Sequence, residues 1–201
     1  MRRFLVLFAA GVLLAAAAAA APRVEITDIV DTGFSSDFPS GSRLNLHVRS
    51  GEIRIVGSDQ DKITVSLSGK NASEARKLKV RLDRHEGGAA DLRISGGPHN
   101  DLTITIGIPR KTDLYARIPF GDVTVENVVG NKDIELHAGD MTVKVGDASD
   151  YGHVDASVFT GEVDGDPFGE EHGGLFRSFK REGTGQYRLH AHVGAGQLTL
   201  R

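Results

Sequence analysis

The stretch "HAGDMTVKV" at positions 137–145 contains the pattern on which the fold depends: a glycine, an acidic residue, and then apolar residues at every second position. The same order returns as "SGEIRI" at 50–55, "FGDVTV" at 120–125, "TGEV" at 160–163 and, with glutamine in place of the acid, "AGQLTL" at 195–200. Apolar alternation with a period of two is typical of a half-buried β-strand. Five copies of one turn therefore predict an architecture of repeated strands.

Apolar residues also precede the turns in a shared register. They stand seven, five and three positions before four of the glycines and resume two positions after each of them. In a straight strand, this odd step would move the apolar side chains to the opposite face of the sheet. Glycine reaches positive φ without steric cost, which a bend or bulge at this point requires. We therefore predict turns at Gly51, Gly121, Gly139, Gly161 and Gly196.

Alternating runs such as "KITVSL" at 62–67 and "DLTITIGI" at 101–108 continue from residue 40 onward, and only 72–78 could form a short helix. We therefore predict an all-β protein. One architecture is a β-solenoid or β-roll with a Gly-acid turn at each corner, and the alternative is an antiparallel β-sandwich or meander. The similar steps from Gly121 to Gly139 to Gly161, and the absence of Asn-Gly and Asp-Gly at these turns, favour the solenoid.

The N-terminus has the features of an export signal. Arg2 and Arg3 precede an apolar run at 4–14, and a tract of alanines supplies small residues for cleavage before Pro22. We predict a signal peptide at 1–21, an N-terminal lead segment at 22–41 and a single β-repeat domain at 42–201, with no integral membrane segment in the mature chain. The predicted localisation is exported, either periplasmic or at the cell surface.

Charge and cysteine content narrow the partners further. The whole chain carries a formal charge of −3, and removal of Arg2 and Arg3 brings it to −5, because all 27 acidic residues follow position 21. This balance argues against a nucleic-acid partner. The chain has no cysteine, which excludes disulfides, a lipoprotein anchor and cysteine metal sites, and suits an exported bacterial domain.

No set of potential ligands in the sequence predicts a metal or another cofactor. His190 and His192 alternate with apolar residues, so both are expected on a solvent-facing surface without the third or fourth ligand that zinc needs. Asp122 and Asp140 stand singly on turns eighteen residues apart, unlike the dense repeat of calcium-binding rolls. A further group of acids lies around one loop, where solvation is the expected state: Asp147, Asp150 and Asp155.

The sequence does not predict catalysis. Glu126, Asp133 and Glu135 are the nearest candidates for the paired carboxylates of a polysaccharide-cleaving β-helix enzyme, but they occupy outward positions of amphipathic strands. No nucleophile elbow, phosphate-binding loop or H-E-x-x-H motif is present. We therefore predict that the protein is not an enzyme, and a carbohydrate-active β-helix enzyme is the alternative.

One segment interrupts the repeats. Residues 164–185 contain Phe168, Phe176 and Phe179 together with basic residues such as Arg177. These rings either cover the end of the core, as the terminal repeat of a stacked protein requires, or form a contact surface for a partner or a glycan. We favour the end cap.

Three stretches carry a family resemblance: "IPRKTDLYARIPFGDVTVENVVG" at 108–130, "DIELHAGDMTV" at 133–143 and "GQYRLHAHVGAGQLTL" at 185–200. Together they resemble the bacterial "putative adhesin" domain of exported β-repeat proteins, over most of 42–201. The resemblance implies a right-handed β-solenoid-like body at the cell envelope, with no established catalytic residues. The expected function is binding or scaffolding, with an envelope protein or a glycan as partner.

Overall fold

The alternating runs of the sequence are strands of a single sheet. The computed structural model describes residues 23–27, 29–98 and 101–201, with the backbone alone at 73, 74 and 170–176. The predicted signal peptide lies outside these residues. In the described part of the chain, the strands are β1 Arg23–Thr27, β2 Phe34–Asp37, β3 Arg43–Val48, β4 Glu52–Ser58, β5 Lys62–Ser68, β6 Lys79–Arg84, β7 Ala90–Ser95, β8 Thr103–Pro109, β9 Asp113–Phe120, β10 Asp122–Glu126, β11 Lys132–Ala138, β12 Met141–Val143, β13 Tyr151–Gly165, β14 Glu170–Glu182 and β15 Tyr187–Leu200. The helical elements are short 3₁₀ turns at Ala72–Lys77, Glu86–Gly88, Ala148–Asp150 and Asp166–Phe168, so the all-β prediction is confirmed.

Each turn glycine separates strands that lie in two different walls of the sheet. The first wall contains β1, β6, β7, β3, β9, β11 and the first half of β15, in that order, and the second wall contains β2, β5, β8, β4, β10, β12 and the second half of β15. Strands next to the turns pair in parallel and in register, as Leu44 does with Leu114 and Ile53 does with Val123. Equivalent residues of successive repeats therefore form straight rows along the stack.

The two walls together form a nearly closed, barrel-like sheet. Thirteen strands of the described chain follow one hydrogen-bonded path from β1 to β2, and β15 joins the walls because it crosses both. Neighbours close to the turns are parallel, whereas the outer pairs β1–β6, β6–β7, β2–β5 and β5–β8 are antiparallel. The sheet thus combines the parallel stacking of repeats with the antiparallel pairing of hairpins.

The five turn glycines stack on one another at the corner between the walls. Along the stack they follow the order Gly51, Gly121, Gly139, Gly196, Gly161, and their φ angles are 124°, 129°, 128°, 139° and 138°. A Cβ atom on any of the last four would overlap the carbonyl oxygen of the preceding glycine in the stack. Glycine is therefore required here for its backbone conformation and also for the close approach of adjacent repeats.

The acid that follows the turn glycine joins neighbouring repeats. The Asp140 carboxylate accepts a hydrogen bond from the Gln197 backbone N–H at 2.9 Å, and the Asp122 carboxylate accepts one from the Asp140 N–H at 3.3 Å. A similar hydrogen bond joins the repeats at the beginning of β9, where the Asp113 carboxylate accepts from the Asn131 N–H at 2.9 Å. The recurrent acid thus satisfies backbone donors at the corner in addition to contributing surface charge.

The order of repeats in space differs from their order in the chain. The similar sequence steps from Gly121 to Gly139 to Gly161 suggested consecutive stacking, but Gly196 lies between Gly139 and Gly161. The chain first forms β13 and β14 and then returns, so that β15 pairs in parallel with β11 and β12 on one side and with β13 on the other. The C-terminal strand is therefore an interior strand of the stack.

The ends of the stack are formed by segments that the repeat pattern did not include. From the predicted lead segment, β1 and β2 pair antiparallel with β6 and β5 at the two sheet edges. The irregular segment 164–185 contains a 3₁₀ turn and β14, which pairs antiparallel with β13 along most of its length. Lys180 and Arg181 on β14 are exposed, and charged residues of this kind discourage further strand pairing at an edge.

The apolar core fills the space between the walls. Leu114 and Ala116 point inward from the first wall, Val123 and Val125 point inward from the second, and none of the four is more than 1% exposed. Since side chains alternate along a strand, the polar residues between them lie on the outer faces. The outer face of the first wall carries the candidate site.

Candidate ligand-binding groove

A groove of about 740 Å³ runs along the outer face of the first wall. We call it the basic groove, because the charged and imidazole side chains that line it are three arginines, three histidines and, among the described residues, one carboxylate. They are Arg49, Arg93, Arg117, His47, His137, His192 and Glu135. This concentration of basic groups contrasts with the negative net charge of the chain.

One row of the sheet supplies most of these side chains. In register across five strands stand Arg93, His47, Arg117, Glu135 and His192, from β7, β3, β9, β11 and β15 respectively. Neighbouring strands lie about 4.8 Å apart, so the row spans roughly 19 Å. The groove therefore extends perpendicular to the strands, along the direction in which the repeats stack.

Arg117 is fixed at the centre of this row. Its Nη1 donates hydrogen bonds to the carbonyl oxygens of Ala116 and Asp133, both at 3.0 Å. Its Nη2 lies 2.9 Å from a carboxylate oxygen of Asp133, and its Nε lies 3.2 Å from one of Glu135. Within the described part of the chain, Arg49 and Arg93 form no comparable ion pair. Arg93 interacts electrostatically with Asp91 on the same strand but forms no close ion pair with it. Arg49 and Arg93 are therefore the arginines of the groove whose guanidinium groups remain available for a ligand.

Aromatic rings lie beside the groove at the corner. Phe120 is 57% exposed, and its ring meets that of His137 edge to face at a centroid distance of 5.9 Å. Phe159 is 53% exposed and lies beside Gly194, as the flanking pairs of β13 and β15 show. Gly194 lines the groove and has no side chain, so it adds no bulk between His137 and Phe159. A large apolar ring in water is a common sign of a contact surface.

Asp133, Glu135 and His190 bring potential metal-ligand atoms within 4.8 Å of one another on the same face. The chemistry of this donor set is suitable for a divalent cation. However, the guanidinium of Arg117 already contacts both carboxylates, so a cation would have to displace it. The structure thus brings together three potential ligands whose spacing in the sequence did not indicate a site. The Arg117 guanidinium competes with a cation for the two carboxylates.

The histidines considered as metal ligands have separate neighbours. His190 lies 3.9 Å from the Asp155 carboxylate, and the Nδ1 of His192 is 2.8 Å from the Ser157 hydroxyl oxygen. Both lie on the outer face, as the alternation predicted. Only His192 lines the basic groove.

The acids considered for calcium are placed differently from what their spacing suggested. Asp122 and Asp140, which are single residues in the sequence, are adjacent in the stack and engage backbone N–H groups. The loop acids separate: Asp147 accepts from the Ser149 N–H at 2.8 Å, whereas Asp155 lies on β13 and pairs with Lys180 of β14 at 3.1 Å. Among described residues, neither set forms a three-ligand cluster.

The candidate catalytic carboxylates do not come together as a set of three. Glu126 lies on the second wall, where it pairs with Lys144 at 3.1 Å and with Arg54 at 3.6 Å. Asp133 and Glu135 lie on the first wall and share Arg117. Each of the three carboxylates thus has a basic partner.

Segment 164–185 contains three phenylalanines, and the structure describes the side chains of two of them. Phe168 and Phe179 are each 6% exposed, and their ring centroids are 6.2 Å apart. Phe168 also meets Tyr151 edge to face at 6.2 Å. Arg177 is exposed, and the Phe176 side chain lies outside the described residues. Phe168 and Phe179 are therefore buried at the β13–β14 end of the stack, and their role as an end cap stays a prediction.

Lys132 is a buried cation that the sequence interpretation overlooked. It is 1% exposed, and its ammonium donates hydrogen bonds to the Tyr151 hydroxyl at 2.6 Å and to the Gly130 carbonyl at 3.2 Å. Tyr151 in turn donates to the Val145 carbonyl at 3.2 Å. Lys132 stands seven positions before Gly139, where the other repeats have an apolar residue such as Leu114. The shared register of the repeats therefore predicts that Lys132 is buried.

Burial lowers the pKa of the Lys132 ammonium to about 8, partly offset by the charges of Asp150 and Asp113. Between this pKa and the ordinary value of 10.5, the unfolded chain binds more protons than the folded chain, so stability rises with pH in that window. Burial also raises the pKa of the Tyr151 hydroxyl. This opposes the trend only above about pH 10, where an unfolded tyrosine ionises.

We therefore expect the free energy of unfolding to rise by about 1–2 kcal/mol between pH 8 and pH 9.5 because of Lys132. Urea unfolding of the wild type and of Lys132→Met across this range measures the effect. The rise should be absent in Lys132→Met. It should be retained in Lys144→Met, which is the control because the Lys144 side chain is 51% exposed. A rise of equal size in all three proteins would contradict the assignment.

Among the described residues, no helix has both the length and the apolar character that a membrane span requires. No protein-family profile matches the sequence, and a comparison with curated proteins finds no match. A solved structure of similar fold is that of a chain described as "a putative cell adhesion protein" from Clostridium sporogenes. The two structures superpose with a TM-score of 0.50 at 16% identity, over 84% of this chain and 98% of the other. At this identity the likeness concerns the fold alone.

Proposed function

We propose that this protein is an exported, non-enzymatic binding or scaffolding module of the bacterial cell envelope, adhesin-like in function, and that the basic groove is its contact surface. The observation that carries the proposal is the groove itself. It places Arg49 and Arg93, which form no close ion pair among the described residues, next to two exposed aromatic rings. Phe159 lies beside Gly194 of the groove, and Phe120 lies at the adjoining corner with Arg49. A rigid sheet with mobile charged side chains can bind a large partner at little cost in backbone entropy.

Export and envelope location are supported by the sequence at 1–21, which has the charge and hydropathy of a signal peptide. The family resemblance and the fold shared with a chain described as a cell adhesion protein agree with a role at the cell surface or in the periplasm. We also propose that the parallel repeats form a right-handed solenoid-like body, which the family resemblance implies. The antiparallel outer strands close its ends.

A carbohydrate-active enzyme is the second candidate, because Asp133, Glu135 and His190 lie within ligand distance of one another. General acid–base cleavage of a glycosidic bond requires two carboxylates that are accessible to the substrate. Here Arg117 contacts both carboxylates. We therefore assign the groove to binding and not to catalysis.

Capture of purified protein by bacterial envelope fractions tests the binding function. The full chain is expressed with a C-terminal tag, and the wild type is compared with an Arg49→Glu/Arg93→Glu variant. We expect the variant to bind at least about tenfold more weakly, which corresponds to about 1.4 kcal/mol. Lys62→Glu/Arg201→Glu is the control, because it changes net charge equally at exposed residues outside the groove, one on β5 and one directly after β15.

The outcomes distinguish the candidate functions. Equal capture of both variants, or capture of neither the variants nor the wild type, would contradict a contact role for the groove. Release of new reducing ends from envelope polysaccharide, abolished by Glu135→Gln, would favour the enzyme instead. N-terminal sequencing of the protein recovered from cell fractions checks cleavage after 21 and export in the same preparation.

A further inference from the structure

The basic groove has a charge pattern suited to an anionic ligand. Among the described residues, Arg49 and Arg93 form no ion pair within 4.0 Å, although Arg93 interacts with the Asp91 carboxylate at longer range. His47 lies between Arg93 and Arg117 in the same row. Guanidinium groups bind carboxylates through paired, charge-assisted hydrogen bonds. Glu135, which is the single carboxylate among the described residues that line the groove, is already paired with Arg117. A partner with negative charges would therefore find free donors.

The position of the groove on the sheet face limits how the ligand is held. The backbone N–H and C=O groups of β3, β9 and β11 are engaged with neighbouring strands on both sides. A peptide cannot add to the sheet here as an extra strand, because that mode requires an open edge. Recognition must come from side chains alone.

The spacing of the row favours a sugar chain over an acidic peptide. Neighbouring strands present one side chain about every 4.8 Å along the groove, whereas an extended peptide presents side chains on one face about every 6.7 Å. The shorter repeat is close to the length of one pyranose unit in a linear polysaccharide. A sugar chain can therefore place successive units opposite successive strands, with its carboxylates at Arg93 and at Arg49, which follows His47 by two residues, directly after the neighbouring strand β3.

The aromatic rings fit the same class of ligand. Phe120 and Phe159 are more than half exposed and lie on either side of His137 and Gly194 at the corner. The flat C–H face of a pyranose ring packs against an aromatic ring, while a peptide carboxylate gains little from one. The apolar rings and the arginines thus match the two faces of an acidic sugar.

We propose that the basic groove binds an acidic polysaccharide that lies across the strands, with its carboxylates at Arg49 and Arg93 and a sugar face against Phe120 or Phe159. This rests on the proposed binding function and names the chemical class of its ligand. The groove length of roughly 19 Å, given by four strand spacings, accommodates about four sugar units.

Calorimetric titration with four defined polymers tests the proposal. Polygalacturonate is the acidic polysaccharide, its fully methyl-esterified form has the same backbone without charge, poly-L-glutamate is an acidic polymer that is not a glycan, and dextran is a neutral glycan. We expect binding of polygalacturonate that weakens with added salt, because salt screens exposed charges. The methyl ester and dextran should bind at least tenfold more weakly.

Two variants separate charge from ring contacts. Arg49→Glu/Arg93→Glu should lose at least tenfold in affinity for both acidic polymers. Phe120→Ala/Phe159→Ala should lose severalfold for polygalacturonate and leave poly-L-glutamate binding unchanged. Circular dichroism and thermal unfolding establish that each variant is folded.

Equal affinity for polygalacturonate and poly-L-glutamate, with no effect of the phenylalanine variant, would overturn the proposal in favour of general polyanion binding. Equal binding of the methyl ester would overturn the role of charge. If envelope capture depends on Arg49 and Arg93 but polygalacturonate does not bind, the proposed function stands and the acidic-polysaccharide ligand is wrong. If capture also fails, both are wrong.

Discussion

Replacing Gly139 with alanine is expected to destabilise the protein by several kcal/mol. Gly139 has a φ of 128°, which an L-residue rarely adopts, and holding a non-glycine residue there costs about 1–3 kcal/mol. The new Cβ would also overlap the carbonyl oxygen of Gly121 in the adjacent repeat. Relieving such an overlap by backbone movement costs about 1–3 kcal/mol more. Urea unfolding of the variant measures the sum.

Gly146→Ala separates the two contributions. Gly146 has a positive φ of 76°, but its Cβ would have nothing within 4 Å. The free energy of unfolding of this variant should therefore fall by only about 1–2 kcal/mol, the cost of the backbone conformation alone. Equal losses at Gly139 and Gly146 would show that close stacking of repeats contributes nothing. If Gly139→Ala accumulates only in insoluble form while Gly146→Ala remains soluble, the order of the two effects is still the expected one.

The second large effect is expected from Phe168→Ala at the β13–β14 end of the stack. Phe168 is only 6% exposed, and its ring packs against those of Tyr151 and Phe179. Truncating a buried phenylalanine typically costs about 3–5 kcal/mol, because a cavity remains. Thermal and urea unfolding should both show the loss. Phe179→Ala should act in the same direction.

Phe120→Ala is the matched control, since Phe120 is 57% exposed and has one edge-to-face contact with His137. It should change the free energy of unfolding by no more than about 1 kcal/mol. The contrast decides between the two interpretations of segment 164–185. An unchanged stability in Phe168→Ala, combined with lost envelope capture, would mean that this ring serves a partner and not the core.

Several features of the structure could have been predicted from the register of the repeats. Lys132 occupies a position where the other repeats have leucine or valine, so the register indicated an inward-facing lysine. Its partner Tyr151 lies nineteen residues further along, at no position that the repeat defines. The side chains of the basic groove were each recognisable as outward-facing. Their assembly into one row was not, because alternation gives the face of a residue but not its neighbouring strand.

The sequence by itself determined the all-β class, the strand positions and the turns at the five glycines, because strand alternation and positive φ are local properties of a few residues. The tertiary structure decided which repeats are neighbours. Asp140 and Gln197 are 57 residues apart in the chain and hydrogen-bonded in the stack, because β15 returns to a place between β12 and β13. Such pairings depend on how all strands together close the core, and no local pattern encodes that choice. The basic groove exists only because this order places Arg93, Arg117 and His192 in one row.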